Sequence, residues 1–445
     1  MTQSTLIKNA QIVNEGKTIE ADVMIQNQHI SLVKSEILAS PKDKIIEANG
    51  QFLIPGMIDD QVHFREPGLT HKGSIFSESR AAVMGGITSF MEMPNVNPAT
   101  TSIEALEKKF EIASQHSVAN YSFYLGATED NLEQIKLLDP KKYCGVKVFM
   151  GASTGDLLVE HPQALDAIFR DSPILIVTHC ESSPIISSNL ELFRNQRRTP
   201  NITDHPIIRD TEACYASSSY AVALAKKYHS QLHVLHITSE KELALFEPGP
   251  IESKHITAEA CIHHLWFTSQ DYPRLGNLIK CNPAIKSPTD RDALIKAIHS
   301  NQIDIIATDH APHTWQEKQA EYPQAPAGLP LVEHALLSLF DHVKHKRLTL
   351  EQVIEKTAHN PAKRYGIENR GYIREGYFAD LVLVDTDKTT NVNHQNTHYK
   401  CGWTPFDGHQ FSSKIKSTWV NGQQVFDGNQ VNEKVSSSMR LTFNR

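Results

Sequence analysis

Residues 57–65 read Met-Ile-Asp-Asp-Gln-Val-His-Phe-Arg, a short run suited to a buried strand and followed by polar side chains. This run is the first of eight short apolar stretches, each followed by a helical stretch. Such continuous apolar runs are typical of parallel strands that are buried on both faces. The eight predicted strands are Met57 to Val62, Ile87 to Met93, Tyr121 to Leu125, Gly145 to Met150, Ile174 to Thr178, Leu232 to Ile237, Ile256 to Cys261 and Ile303 to Thr308.

Eight strands with intervening helices favour an α/β protein built on a (β/α)8 TIM barrel rather than a doubly wound sheet. No Gly-x-Gly-x-x-Gly or Gly-x-x-x-x-Gly-Lys-Ser/Thr motif is present. The segments 1–54 and 366–445 have a β-rich texture with polar turns. We therefore predict a barrel over 55–365 and a small β-sandwich domain formed by the N- and C-terminal segments, with a C-terminal tail.

Composition excludes several classes of protein. Lysine and arginine number 44 against 51 acidic residues, a net charge of −7, which argues against nucleic acid as a partner. No signal segment or long apolar stretch is found, so we predict a cytoplasmic protein without a membrane contact. The six cysteines show no Cys-x-x-Cys spacing, so we expect reduced thiols.

Polar residues recur at the carboxyl ends of the predicted strands, where barrel enzymes build their active sites. Strand alternation places Gln61, His63 and Arg65 on one side of the first run. Later strands add imidazole, amine and carboxylate groups, namely Lys147, His179, His236 and Asp309. Histidine and carboxylate groups are ligands for divalent metal ions. The convergence of five strand ends on this set predicts a metal centre at the barrel mouth.

Lys147 lies in the apolar run Gly-Val-Lys-Val-Phe-Met, where burial lowers the pKa of an amine. A neutral amine can add carbon dioxide and become a carbamate, which is an anionic metal ligand. The alternative is an ordinary snorkelling or salt-bridged lysine. Each single histidine also has a structural alternative, and His233, His263 and His264 are expected to be structural.

The motifs resemble the amidohydrolase superfamily and, more closely, the dihydroorotases. Residues 59–68 are similar to the family pattern Asp-x-His-x-His-x-Arg-x-Pro-Gly. Three further segments resemble family motifs: residues 93–95 resemble Met-Pro-Asn, residues 282–283 resemble Asn-Pro, and residues 308–313 resemble Thr-Asp-His-Ala-Pro-His. The resemblance extends from about residue 5 to 430.

This resemblance implies zinc-dependent, reversible hydrolysis of the cyclic amide of (S)-dihydroorotate to N-carbamoyl-L-aspartate, a step of pyrimidine biosynthesis. His63, N-carboxylated Lys147 and Asp309 would hold a first ion, and Lys147, His179 and His236 a second. Asp309 would also be catalytic, accepting a proton from the attacking hydroxide and passing it to the leaving nitrogen. A homodimer is the assembly that the family suggests.

The resemblance also implies a pocket for the substrate. Arg65 would pair with the free carboxylate, together with Asn95 and His313. Asn282 and the backbone near Gly328, from Ala327 to Leu329, would contact the amide edges of the ring. As alternatives, Asn95 and Asn282 would only cap the turns beside their neighbouring prolines.

Gln61 is a departure, because the family usually has histidine there. An amide oxygen is a weaker zinc donor than imidazole. Gln61 would ligate weakly, leave a site that fills only with substrate, or orient a water. We therefore expect one firmly bound ion and one weakly bound ion.

Three other functions remain open on the sequence. Allantoinases and hydantoinases open similar rings, but they usually lack an arginine at the position of Arg65. A non-catalytic scaffold for another enzyme of the pathway would explain Gln61 but not Lys147.

Two segments, 151–157 and 314–327, are candidates for a loop that closes over substrate.

Overall fold

The computed structural model describes residues 4–151, 157–432 and 437–445. Its N-terminal segment consists of alternating strands and tight turns, as the β-rich texture predicts. The five strands are β1 (Thr5–Asn14), β2 (Lys17–Gln26), β3 (His29–Lys34), β4 (Lys44–Glu47) and β5 (Phe52–Pro55).

The central segment contains nine short strands, most of them fully buried. They are β6 (Met57–Val62), β7 (Ile87–Glu92), β8 (Asn120–Phe123), β9 (Leu125–Gly126), β10 (Val146–Met150), β11 (Ile176–Cys180), β12 (Leu232–Val234), β13 (Ile256–Cys261) and β14 (Ile305–Ala307). All pair in parallel with their neighbours. Only Tyr124 separates β8 from β9, so these two short strands occupy the place of one predicted strand.

The barrel closes where its last strand meets its first. The His63 N–H donates to the His310 carbonyl at 2.7 Å, and Val62 and His310 form a parallel bridge. Closure brings the carboxyl ends of all the strands around one opening, because parallel strands in a barrel share one direction.

The α-helices connect and surround these strands. They are α1 (Ile75–Met84), α2 (Ile103–His116), α3 (Leu132–Lys136), α4 (Pro162–Asp171), α5 (Ser183–Asn195), α6 (His205–Ile208), α7 (Thr211–Tyr228), α8 (Glu240–Leu243), α9 (Ile262–Trp266), α10 (Tyr272–Leu275), α11 (Pro288–His299), α12 (Trp315–Lys318), α13 (Ala335–Lys344), α14 (Leu350–Ile354) and α15 (Asn360–Tyr365). A π-helical turn, Glu355–His359, joins α14 to α15. Short 3-10 turns lie at Ile202–Asp204, Ile251–Ser253, Ser269–Asp271, Gly276–Ile279, Val332–His334 and His394–Asn396. Among the helices of the described ranges, none combines the length and hydropathy needed to cross a bilayer.

The C-terminal segment returns to the N-terminal sheet. Its strands are β15 (Leu381–Asp385), β16 (Thr390–Asn391), β17 (Gln410–Phe411), β18 (Lys414–Val420) and β19 (Gln423–Phe426). One mixed sheet runs in the order β19-β18-β15-β5-β1-β2-β3, with β4 paired to β1. One face packs against the barrel through residues such as Ile54 and Val382, and the other has its own core around Leu53 and Trp419. The predicted fold class, a barrel beside a β-sandwich domain made from both flanks, is confirmed.

The predicted strand bounds hold best where apolar runs are uninterrupted. The observed β6 and β13 begin and end as predicted. The predicted strand Leu232 to Ile237 is too long, because β12 ends at Val234 and His236 adopts a left-handed φ of 40°. That turn directs the His236 side chain into the barrel opening.

A buried ion pair joins the barrel to the flanking sheet. The Arg370 guanidinium contacts the Asp380 carboxylate, and both side chains are almost fully buried. Asp380 also accepts hydrogen bonds from Asn120 of β8 (3.2 Å) and from the Asn421 backbone (2.7 Å). Asp380 therefore connects a barrel strand with the turn after β18.

We predict that Arg370→Ala lowers the free energy of unfolding by about 3–5 kcal/mol, because removing one partner leaves a buried carboxylate without compensation. Denaturant titration of the whole chain measures this change. The control is Arg170→Ala, whose partner Asp171 is a surface neighbour, and little change is expected there. Equal effects of the two substitutions would contradict the structural role of the buried pair.

Candidate functional site

A cavity lies at the carboxyl ends of the barrel strands. It is bounded by side chains from all around the barrel and by two loops. Its lining residues are Gln61, His63, Arg65, Asn95, Lys147, Phe149, His179, His236, Cys281, Asn282, Asp309, Ala311, Ala327 and Gly328. All the residues predicted for the metal centre therefore line one cavity, although they come from distant parts of the chain.

One wall of the cavity carries the Asp309 carboxylate, which contacts the side chains of Gln61 and His63. Asp309 Oδ1 lies 3.0 Å from His63 Nε2 and accepts a hydrogen bond from Gln61 Nε2 at 3.1 Å. The other ring nitrogen of His63, Nδ1, lies 2.7 Å from Asn95 Oδ1. Burial opposes ionisation of Asp309, but the contact with His63 keeps the pKa of this carboxyl below its usual value. Asp309 is thus an anion at neutral pH, facing the cavity.

The Gln61 amide is oriented by its neighbours. Its nitrogen faces the Asp309 carboxylate, which only accepts, and its oxygen Oε1 lies 3.6 Å from the Cys261 thiol. An amide N–H has no lone pair for a metal ion. In this orientation Gln61 holds Asp309 rather than presenting an oxygen to the cavity.

The opposite wall carries a pair of imidazoles. His179 Nδ1 and His236 Nε2 are 3.0 Å apart, and the rings are nearly perpendicular. His179 Nε2 lies 3.1 Å from Glu181 Oε2, and Glu181 also contacts the Arg209 guanidinium. Burial opposes ionisation of Glu181, yet Arg209 and His179 hold its pKa at about 2. The charged Glu181 thereby fixes the orientation of the His179 ring.

Lys147 lies on β10 at the floor of the cavity, only 1 % exposed. Among the described residues, no carboxylate lies within ion-pair distance of its amine, and Nζ sits 4.7 Å from the centre of the Phe149 ring. Burial lowers the pKa of this amine to about 8. Burial also lowers the pKa of three cavity imidazoles, those of His63, His179 and His236. The charge of Lys147 lowers the pKa of each of them further. Neutral imidazoles around a weakly basic amine form a donor set suited to a cation.

A second buried cation stands beside this set. Arg65 is 6 % exposed and adopts a left-handed φ of 74°. Its Nε donates to the Pro312 carbonyl at 3.1 Å, and Nη2 lies 3.1 Å from His313 Nε2. Lys72 Nζ lies 3.1 Å from the other ring nitrogen of His313. Within the described ranges no carboxylate pairs with Arg65, and burial lowers its pKa to about 10.

The far side of the cavity is formed by two loops. Asn282 contributes a buried Oδ1 without a hydrogen-bond partner among the described residues. Gly328 has a φ of 141°, and a Cβ there would lie 2.4 Å from the Ala311 carbonyl oxygen. Its N–H donates to the Lys280 carbonyl at 2.8 Å. Gly328 therefore shapes the wall by its lack of a side chain, while its N–H is already bonded.

Several residues that contact the predicted set were not predicted. Glu181 lies two residues after His179, so strand alternation was a signal that would have placed it beside that histidine. Arg209 and Lys72 come from separate segments, and nothing in their local sequence indicates the contact.

Two segments were predicted as candidates for a closing loop. Segment 314–327 contains α12. In segment 151–157, residues 152–156 lie outside the described residues.

Two further groups of metal-binding side chains occur near the barrel centre. They are Cys261, His263 and His264 in one group and Asp60, His233 and Glu259 in the other. Glu259 Oε1 accepts from the His236 backbone N–H at 3.0 Å, so the second group lies directly behind a cavity imidazole.

Comparison with known proteins identifies what the chain is similar to. A model of the amidohydrolase family matches residues 52–425. A dihydroorotase of Methanosphaera stadtmanae is 32 % identical over 94 % of this chain and 97 % of that protein. An allantoinase of Solibacter usitatus is 30 % identical over 96 % of this chain and 95 % of that protein. The structure of an L-hydantoinase (dihydropyrimidinase) from Arthrobacter aurescens aligns with 99 % of this chain and 100 % of that protein, with a TM-score of 0.92. The two sequences are 24 % identical, so this similarity shows the fold alone.

Proposed function

Because the chain belongs to the amidohydrolase family, we propose that it is a dihydroorotase. It hydrolyses the ring amide of (S)-dihydroorotate to N-carbamoyl-L-aspartate and catalyses the reverse ring closure. The proposal requires three things of the cavity: a counter-cation for the substrate carboxylate, a bound divalent cation, and a group that moves a proton. The cavity contains candidate residues for each of these roles.

The observation that carries the proposal is the buried Arg65, which has no carboxylate partner among the residues that the structure describes. A buried guanidinium without a carboxylate partner is costly, and a substrate carboxylate removes that cost. His313 and the Pro312 carbonyl hold two of its nitrogens, which fixes the plane of the fork. Asn95 adds an amide at the same side of the cavity, bonded to His63. Allantoin and hydantoin carry no carboxylate for this pocket to bind.

The donor set fits a zinc ion. Two zinc-bound nitrogens, each about 2.0–2.1 Å from the ion, lie roughly 3.3 Å apart in tetrahedral geometry. His179 Nδ1 and His236 Nε2 are 3.0 Å apart in this structure, close to that spacing. These two histidines and N-carboxylated Lys147 would hold the firmly bound ion, and His63 and Asp309 would contribute to a second position. Zinc held there would supply a Lewis acid for the ring carbonyl and would lower the pKa of water to about 7.

The protein's own groups orient the substrate and transfer the proton. Asp309 is ionised, lies 3.0 Å from His63, and is positioned to accept a proton and return it to the leaving ring nitrogen. Asn282 Oδ1 has no hydrogen-bond partner in the described part of the chain and would be available to accept a ring N–H. The loop from Ala327 to Leu329 closes the wall opposite, with Gly328 keeping room for the ring. In the proposed complex the scissile amide would lie between Asp309 and the two imidazoles.

Removing the Arg65 guanidinium should destroy selectivity for the carboxylate. Hydrogen bonds to charged groups contribute about 1.5–3 kcal/mol each, so Arg65→Ala should lower kcat/KM for dihydroorotate by about 100- to 1,000-fold. Dihydrouracil, the same ring without the carboxylate, is the matched control, and its slower turnover should change little. Steady-state kinetics on both rings, with zinc content measured in parallel, makes this comparison.

Three results would contradict the proposal. An equal loss on both rings would show that Arg65 supports the fold of the site rather than the carboxylate. Turnover of allantoin or hydantoin by the unaltered protein, without turnover of dihydroorotate, would assign it to another cyclic amidohydrolase. No turnover of any of these rings with zinc present would favour a scaffold.

The orientation of Gln61 predicts the number of tightly bound ions. Because its N–H faces Asp309, the first position lacks a ligand, and dialysed protein should retain about one zinc per chain. Gln61→His should raise this to about two, whereas Gln61→Leu, which adds no ligand, should stay at one. Elemental analysis after dialysis measures the ratio. Two equally tight ions in the unaltered protein would show that Gln61 turns its oxygen to the metal.

A further inference from the structure

A cluster of sulfur and nitrogen ligands lies where β13 passes into α9, outside the residues assigned to the catalytic cation. It consists of Cys261, the last residue of β13, and His263 and His264 in the first turn of α9. All three side chains are buried, with exposures of 0 %, 0 % and 3 %. The geometry of this cluster differs from that of an ordinary packed core.

Three of the four imidazole nitrogens of the cluster lack a hydrogen-bond partner among the described residues, while His264 Nε2 lies 3.2 Å from the Pro283 carbonyl oxygen. Neither ring nitrogen of His263 makes a hydrogen bond of normal geometry within the described ranges, and the same holds for His264 Nδ1. The Thr308 carbonyl contributes to the electrostatic surroundings of His263 without such a bond. A buried polar group without a partner costs about 1–3 kcal/mol. Each neutral imidazole has one nitrogen with a free lone pair, so the two rings can offer one such nitrogen each to an absent partner.

The spacing of the ligand atoms suits one ion. One ring nitrogen from each histidine and Cys261 Sγ all lie within 4.8 Å of one another. Ligand atoms of one tetrahedral zinc ion lie roughly 3.3–3.8 Å apart, given Zn–N near 2.0–2.1 Å and Zn–S near 2.3 Å. Small side-chain rotations would bring the ligand atoms from separations of up to 4.8 Å to the spacing of a zinc site. Thiolate with imidazole is the ligand combination that selects zinc and other soft divalent ions over magnesium or calcium.

The neighbouring cluster of Asp60, His233 and Glu259 differs in that its imidazole has polar contacts on both ring nitrogens. His233 Nδ1 bonds Thr257 Oγ1 at 2.7 Å, and Nε2 lies 3.3 Å from Asp60 Oδ2. Both nitrogens of that imidazole face an acceptor or hydroxyl. His233 thus has one hydrogen bond and a carboxylate at ion-pair distance, although its Nε2 makes no hydrogen bond of normal geometry among the described residues, whereas His263 has neither contact.

The surrounding charge also favours a cation. Cys261 Sγ lies 3.3 Å from Glu259 Oε1, and the Asp309 carboxylate is close enough to act on the thiol. Burial and these carboxylates disfavour a free thiolate, because they oppose a further negative charge. A dication reverses that balance: the S–H bond breaks, an S–metal bond forms, and the proton leaves to the buffer.

We propose that Cys261, His263 and His264 bind a soft divalent cation such as zinc in a site separate from the catalytic one. Cys281 lines the catalytic cavity and its Sγ lies 3.7 Å from His264 Nε2, so the cluster lies close to that cavity. Occupancy would remove the Cys261 thiol from Gln61 Oε1. The site is thereby coupled to the amide that holds Asp309.

Cadmium titration tests the proposal, because the catalytic donor set contains no sulfur. Adding Cd²⁺ to metal-free protein should produce a thiolate-to-metal charge-transfer band that saturates at about one equivalent for this site, with release of about one proton. Cys261→Ser should abolish the band. The matched control, Cys144→Ser, alters another buried free thiol, packed near Tyr124, and should retain it.

A second variant guards against misfolding. His263→Phe keeps the thiol and should weaken cadmium binding, as followed by the charge-transfer band, by at least about tenfold. Its circular dichroism spectrum should be unchanged. The absence of a band in the unaltered protein, or a band that survives Cys261→Ser, would overturn the proposal. The readout needs no substrate, so it is independent of whether the chain acts on dihydroorotate.

Discussion

The rest of the site depends on one constraint, the burial of the Lys147 amine without a counter-charge. A charged ammonium at 1 % exposure and without an ion pair is strongly disfavoured, and burial already lowers its pKa to about 8. The lowered pKa increases the fraction of neutral amine near neutral pH, and the neutral amine is the form that can be carboxylated. Under the proposed function, a carbamate at this position would turn an unfavourable cation into an anion that a metal ion could stabilise.

Closure of the barrel makes this arrangement possible. His63 and His310 join the last strand to the first, so the ends of distant strands face one opening. Left-handed backbone at Arg65, His236 and Asp309 then turns these side chains inward where the strands stop. Such conformations are unfavourable for residues other than glycine and tend to occur where function requires them. The flanking sheet supports the barrel from outside and contributes no residue to the cavity lining.

Much of this could be predicted from the sequence, because apolar runs set the strands and chemistry recurs at their ends. The β6 and β13 bounds and the shared cavity of Lys147, His179 and Asp309 followed from that pattern. Contacts between distant segments could not be predicted, since periodicity carries no information about them. The pairing of Glu181 with Arg209 and the orientation of the Gln61 amide, set by Cys261 and Asp309, are of this kind.

The most direct test of the account is an electron-density map of the zinc-loaded protein at Lys147, with anomalous scattering recorded at the zinc edge. The account predicts planar density for a carboxylate group on Nζ and an anomalous peak between it and the imidazoles of His179 and His236. A bare ammonium, with no anomalous peak in the cavity at saturating zinc, would contradict it.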